Sequence, residues 1–591
     1  MKNRPPKTIL AALLASAAVL VRATPEPYAI IEIDSVDAVT RDFAALGNTL
    51  RNPALMGGPA QAGFMLGSPG FVGIDKGKPL RLVFPSERDL IGNRPVVVVP
   101  VSDTDGTAYL SSFGAIAEKT GDENGLLSFR GRQFPMDFRL RVAGGHALFT
   151  TSGSIGERAL SDMAASLTAD PDAFAVRGLS GTIRADLSVA AVLPAIEGLI
   201  REGLESIEDD EDRSTARVLA DEVKTLLRGA SRIGIGLEFD AEHGLSIWTR
   251  LDAVPDSSLA QSLHDCHVPS ERLLPHGGNF SVFQSSGCDA AVTRLLTPLI
   301  SALSKVVPAD DTDNLQSIFA TLVDQMKEYQ ENDFSYVAGL RRNADGRLFL
   351  QYAIAGDESW IAERAEKTLM GDQKDLIARQ GIAFGEVSTR EEQGATIRFL
   401  PIETVPEPGD EDDDAKALDD PFGVQNDIMK YFAEQRYGYE WTVKDGLFHF
   451  TFGPQGSILP CLAPADGASA DPMAALFPDV DNRAQAAYSF LVNVPALLDD
   501  ILSIPEVKGL ENYEDIQSTL WSATEKDRNF LGSLVLVRDD SAVGVLRLTP
   551  AFIRSIAAVG EAVENILDNG GDDTPLTNED IDALLKEAEE D

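Results

Sequence analysis

Three cysteines and six histidines in 591 residues carry most of the nucleophilic and metal-ligating chemistry open to this chain. The densest group is His264-Asp265-Cys266-His267, with His276 downstream. Imidazole and thiolate are good ligands for a soft metal. Consecutive residues cannot all turn onto one ion, however, and the CxxC spacing of a zinc site is absent, so no metal is assigned. Cys266 and Cys288 are the candidate disulfide. An oxidising compartment favours such bridges. Closing a loop of this length stabilises by roughly 3 kcal/mol in the chain-entropy account. The alternative is three unpaired, partly buried thiols, and Cys461 is left over on either reading. A Cys–His nucleophile pair would need a third group to orient it, and the sequence offers none.

Other chemistry finds no motif. The chain has no HExxH, no GxSxG elbow, no phosphate-binding GxxxxGK[ST] loop and no strand–GxGxxG–helix. Gly234-Ile235-Gly236 lies within a predicted strand. Gly409–Asp414 and Asp103-Thr104-Asp105-Gly106 hold too few oxygens in the wrong order for a calcium loop. A carboxylate pair for glycoside cleavage cannot be picked out of 93 acids. No cofactor and no catalytic residue is assigned.

The elements that would position these residues recur along the chain. One unit is a short apolar strand that runs into a helix, at 28–46, 182–200, 279–303 and 488–502. Asp34 or Ser35, Ser188, Ser286 and Asn493 stand at the change of periodicity, where a side-chain oxygen can cap free N–H groups. A second unit is strand–turn–strand–helix, at 232–263, 334–369 and 530–563. Its turns carry Glu242-His243-Gly244, Asp345-Gly346 and Asp539-Asp540-Ser541. The order of the units predicts two related halves. The spacing between matched positions grows by about fifty residues along the repeat, so the second half carries an insertion. The unbroken apolar run Arg94–Val101 predicts a buried strand, followed by a helix over 107–120. Short turns between most strands predict mainly antiparallel pairing.

The expected fold class is therefore α+β. It has two halves, each a mainly antiparallel curved sheet with helices packed on one face. The expected organisation is a signal peptide at 1–23, a first repeat at 24–265 and a linker at 266–278. A second repeat follows at 279–567, with an acidic insertion near 401–421, and then an acidic tail at 568–591. Lys2, Arg4 and Lys7, the apolar run Thr8–Val21 and the small residues Val21 and Ala23 have the layout of a secretory signal. A length of 591 residues suits about three or four domains' worth of chain. The net charge of −42 argues against nucleic acid as a partner. The Lys-poor, acidic surface also suits a saline habitat. The segments PYAIIEIDSVDAV and VVVVPVSDTDGTAYLSSFG, behind the export signal, resemble those of exported bacterial proteins of unknown function with tandem α+β repeats. That resemblance implies no site residue.

The expectation is an exported protein, periplasmic or extracellular, with no transmembrane span in the mature chain. Its role would be non-catalytic, as an envelope binding or scaffold protein whose partner is another envelope protein or an apolar ligand. A carrier of lipid or another apolar ligand is the first alternative. A hydrolase with a non-standard site is the second.

Overall fold

The structure is a computed structural model. It describes residues 27–558 apart from 57–62, 64–65, 86–94, 133–135, 152–156, 208–209, 271–272, 274–279, 305–322, 325, 329, 333, 344, 368–381, 405–431, 433–434, 463–472, 475, 481 and most of 505–523. The predicted signal peptide, most of the predicted insertion, the acidic tail, His276 and part of the linker lie outside the described residues.

Among the described residues, the first half of the chain supplies ten strands: β1 (Ala29–Ile33), β2 (Leu80–Phe84), β3 (Val96–Pro100), β4 (Ala117–Glu123), β5 (Leu126–Gly131), β6 (Asp137–Ala143), β7 (His146–Thr151), β8 (Ile183–Ser188), β9 (Ala230–Asp240) and β10 (Gly244–Ala253). The second half supplies β11 (Val282–Ser286), β12 (Ser335–Arg342), β13 (Leu348–Ala355), β14 (Ile382–Phe384), β15 (Ser388–Glu392), β16 (Ala395–Thr404), β17 (Tyr437–Lys444), β18 (Leu447–Pro454), β19 (Tyr488–Asn493), β20 (Phe530–Arg538) and β21 (Ser541–Leu548). Every pairing is antiparallel.

The strands lie side by side in the order β4-β5-β6-β7-β3-β2-β1-β8-β9-β10, then β21-β20-β19-β11-β12-β13-β18-β17-β16-β15, with β14 added on β16. Counted outward from the β10–β21 seam, both arrays follow one chain order. Each seam strand leads to its hairpin partner, then to the strand before it, then to the first strand of its array. The seam itself runs from Leu245↔Leu548 to Asp252↔Ser541. Near its middle Trp248 pairs with Val545 and packs against the buried cores of both arrays.

Two expectations change here. The halves do not carry separate sheets, because two edge strands expose unpaired N–H and C=O groups, and pairing β10 with β21 removes both edges. In the first array, helices also cover both faces rather than one. The helices among the described residues include α1 (Val36–Thr49), α2 (Thr107–Ile116), α3 (Glu157–Ala169), α4 (Val189–Ser206), α5 (Asp210–Gly229), α6 (Ser258–His264), α7 (Asp289–Ser304), α8 (Glu358–Lys367) and α9 (Val494–Leu502). Val96 and Val98 of β3 join Leu160, Met163 and Leu167 of α3 in one core. Val99 joins Tyr109 and Phe113 of α2 in another, with Val97 against it. An unbroken Val run has no polar side to leave in water, so both sides need cover.

Glycines let loops pack onto the sheet in the same way in both arrays. A Cβ on Gly234 would lie 3.1 Å from Leu179 Cδ2, and one on Gly532 would lie 2.5 Å from Leu476 Cδ2. Beside each glycine an arginine anchors that loop through a backbone carbonyl. Arg250 donates to Arg177 O (2.6 Å), and Arg547 donates to Leu476 O (2.9 Å) and to Asp479.

Capping follows the sequence in part. Ser35 Oγ accepts from Ala38 N (3.0 Å) and Asn493 Oδ1 from Ala496 N (3.3 Å). Ser188 stands at its N-cap position without a side-chain bond. Ser286 is not a cap: its Oγ accepts from Cys288 N (3.3 Å), and α7 starts at Asp289.

Candidate functional site

The four residues His264 to His267 reach four different partners. His264 Nε2 lies 3.1 Å from an Asp540 carboxylate oxygen, and Asp265 pairs with Arg294 of α7. His267 N donates to Gly287 O (3.0 Å). That bond lays the segment after α6 along the turn from β11 into α7. The approach is close enough to require glycine, since a Cβ at Gly287 would sit 2.2 Å from His267 O. Cys266 and Cys288 flank this contact, and each thiol acts on the titration of the other. Among the described residues, no group of three or more His, Cys, Asp or Glu is arranged to hold a metal ion.

The two thiols differ in environment. Cys266 is half-buried and Cys288 is buried. The Cys288 thiol draws the Cys266 thiol below its usual value against some desolvation. The Cys266 thiol, with burial, drives Cys288 far above the ordinary thiol range. The predicted pair is thus side by side, with both thiols free in this structure. Cys461 is separate. Burial pushes it up to about 12, and its Sγ lies against Ser457 O (3.6 Å).

Asp289, the first residue of α7, follows directly. Burial raises its carboxyl above the ordinary aspartate value, opposed by the Ser286 hydroxyl and the charge of His267. Its Oδ2 is buried without a hydrogen-bond partner. Tyr336 of β12 and Tyr488 of β19 lie directly opposite Ser286 on its two sides. Gln284 Nε2 donates to Tyr336 Oη (2.6 Å), and the Tyr352 ring lies tilted to that of Tyr336 with ring centroids 6.1 Å apart. Burial first, then the Asp289 charge, pushes the Tyr336 and Tyr488 phenols upward, so they stay neutral. The arrangement joins a half-exposed thiol, a buried thiol and a part-buried carboxylate with one unpaired oxygen, which is the equipment of thiol–disulfide exchange.

Sequence reasoning found the cysteines and Ser286 but not Asp289, Tyr336, Tyr488 or Gln284. The only local signal was Asp289 adjoining Cys288. The tyrosines come from strands distant in the chain. The candidate calcium residues have ordinary work: Asp103 Oδ2 accepts from Ala108 N (3.1 Å) and Asp105 Oδ1 from Thr107 N (3.3 Å), which caps α2.

A second feature lies on the sheet across the seam. Ile183, Leu237, Ile247 and Leu546 are direct cross-strand neighbours on β8, β9, β10 and β21. Leu237 and Leu546 are 40% and 36% exposed, and Ile235, on the same face of β9, is 48% exposed. Apolar side chains lying together in water on a central sheet mark a surface meant to be covered.

Among the described residues, no helix is long and apolar enough to cross a membrane. No family model, no curated protein and no solved structure matches the chain.

Proposed function

We propose that this chain is an exported binding protein of the bacterial envelope that holds an acyl chain against the seam of its sheet. The observation that carries this reading is the row Ile183–Leu237–Ile247–Leu546, with Ile235 beside it. Four strands at about 4.8 Å spacing make a strip roughly 15 Å long. That is about half the ~30 Å hydrocarbon thickness of a bilayer, the reach of one leaflet's acyl chain. The signal-like N-terminus supports export. The acidic chain argues for a ligand whose hydrocarbon, not an anionic backbone, supplies the affinity.

We further read the two arrays as copies of one ancestral unit. The shared strand order and the paired Gly234–Arg250 and Gly532–Arg547 devices support that reading. The acyl strip then arises where the copies meet.

The test is binding of a fluorescent fatty acid to the purified full chain, with native mass spectrometry for co-purified lipid. Leu237→Asp is expected to weaken binding by about tenfold or more, because a charge replaces apolar contact. Wild-type protein that takes up no acyl probe, or binding unchanged in Leu237→Asp, would overturn the proposal.

A further inference from the structure

We propose that Cys266 and Cys288 are a redox-active dithiol that exchanges electrons with a disulfide-bearing peptide or protein, with Asp289 as the proton acceptor for Cys288. This inference uses a different site from the acyl strip and stands without it.

The geometry carries it. The His267 N–Gly287 O bond (3.0 Å) holds the two cysteine-bearing segments side by side, with Cys266 next to one end of the bond and Cys288 next to the other, where a bridge could close. Cys266 is the accessible member and Cys288 the buried one. That division suits one attacking and one resolving thiol. The Asp289 carboxylate acts electrostatically on both thiols, and its Oδ2 has no other hydrogen bond to keep it from receiving a proton. A bridge that served only to staple the chain would have no use for an acid with an unpaired oxygen beside it. The matching turn of the first array is held without thiols, by Ser35 capping α1 and the buried Val36.

The exchange balances in two steps. The Cys266 thiolate attacks one sulfur of the partner's disulfide. The partner's S–S bond breaks, its other sulfur leaves as a thiolate and takes a proton from water, and a mixed disulfide forms on Cys266. Cys288 then gives its proton to Asp289 and its sulfur attacks Cys266 Sγ. The mixed disulfide breaks and the partner's second sulfur leaves as a thiolate. The partner has gained two electrons and the pair has lost two, as the Cys266–Cys288 bond. Run backwards, the same steps oxidise a dithiol partner.

Oxidised glutathione is the probe, with the purified full chain, timed alkylation and intact mass. Cys288→Ser is expected to trap glutathione on Cys266. Cys266→Ser is expected to react at Cys288 at least about tenfold more slowly, because that thiol is buried and protonated. Reduced glutathione is expected to reopen the bridge in wild-type protein. Asp289→Asn is expected to slow ring closure by about tenfold or more while leaving the first step within about twofold, with Asp289→Glu restoring part of the loss. A melting curve confirms that each variant is folded. Equal reactivity of the two cysteines, or a bridge that glutathione never reopens, overturns the redox proposal. Ring closure unchanged in folded Asp289→Asn overturns the role of Asp289.

Discussion

Two rows of residues stand at corresponding places in the two arrays and have opposite characters. In the first array the row Arg81–Glu32–Arg184 crosses β2, β1 and β8; in the second, the row Val337–Ser285–Ser489 crosses β12, β11 and β19. The next row along, which faces the other way, reverses the contrast. It is Leu80–Ile33–Ile183 in the first array and Tyr336–Ser286–Tyr488 in the second. One backbone address thus holds a buried ion cluster on one face in the first array, and a polar group beside two thiols on the other face in the second. The first cluster is held by opposite charges. Arg81 Nε donates to Glu32 (2.6 Å), Arg81 Nη1 donates to Pro171 O (2.9 Å), and Arg184 lies 2.7 Å from Glu32. The second leaves Asp289 Oδ2 unpaired. Arg184 Nε of the first is unpaired as well, so the difference lies in the surroundings: ion pairs balance the first, whereas the second adjoins nucleophilic sulfur, where chemistry can occur.

The largest effect should come from the ion row. Glu32→Ala leaves Arg81, which is 2% exposed, without its main counter-charge. It should cost about 3–5 kcal/mol in urea unfolding. Ser285→Ala, at the matching place, should cost no more than about 1 kcal/mol. Equal losses would erase the contrast.

The loop-seating glycines come next. Gly532→Ala puts a Cβ 2.5 Å from Leu476 and 2.6 Å from Phe490 O, and should cost about 1–3 kcal/mol. Gly234→Ala has more room, 3.1 Å from Leu179, and should cost less. Thermal melting of the two variants ranks them, and the reverse order would break the correspondence.

Importing the first array's residues is milder. Tyr336→Leu with Tyr488→Ile removes the acceptor for Gln284 Nε2 and should cost about 1 kcal/mol by urea titration. A loss several times larger would mean that the phenols hold the array together.

The smallest effect depends on pH. Burial raises the Asp289 carboxyl, so the folded chain keeps that proton to higher pH than the unfolded chain does. Its stabilising share is complete below the unfolded value near ~3.9 and is lost as pH rises through the raised folded value. Asp289→Asn should therefore gain on wild type as pH rises from about 4 to 7, read as the difference in melting temperature. A difference that stays flat or shrinks over that range would remove the burial argument.

Much of the element structure was legible locally. The Asp345-Gly346 turn joins β12 to β13, with Gly346 at φ +77° as such a turn requires. The cap residues Ser35 and Asn493 were readable because a cap acts within three residues. The helix expected over 107–120 stops at Ile116. The chain turns directly into β4, where Lys119 pairs with Phe129, and a strand partner outweighs local helical preference. Phe71–Phe84 reads as a hairpin in sequence, but Ile74 instead bridges Val101 and only Leu80–Phe84 is a strand.

The chain by itself determined the antiparallel grammar, most turns and caps, the acidity and the nearness in sequence of Cys266 and Cys288. Hydrophobic period, glycine and capping oxygens act over a few residues, so they can be read in a short window. Only the tertiary structure decided that β10 would pair with β21, that apolar side chains would lie open across that seam, and that the Asp289 charge would act on tyrosines from β12 and β19. Burial and cross-strand neighbours come from segments tens to hundreds of residues apart, and no local pattern encodes which of them will meet.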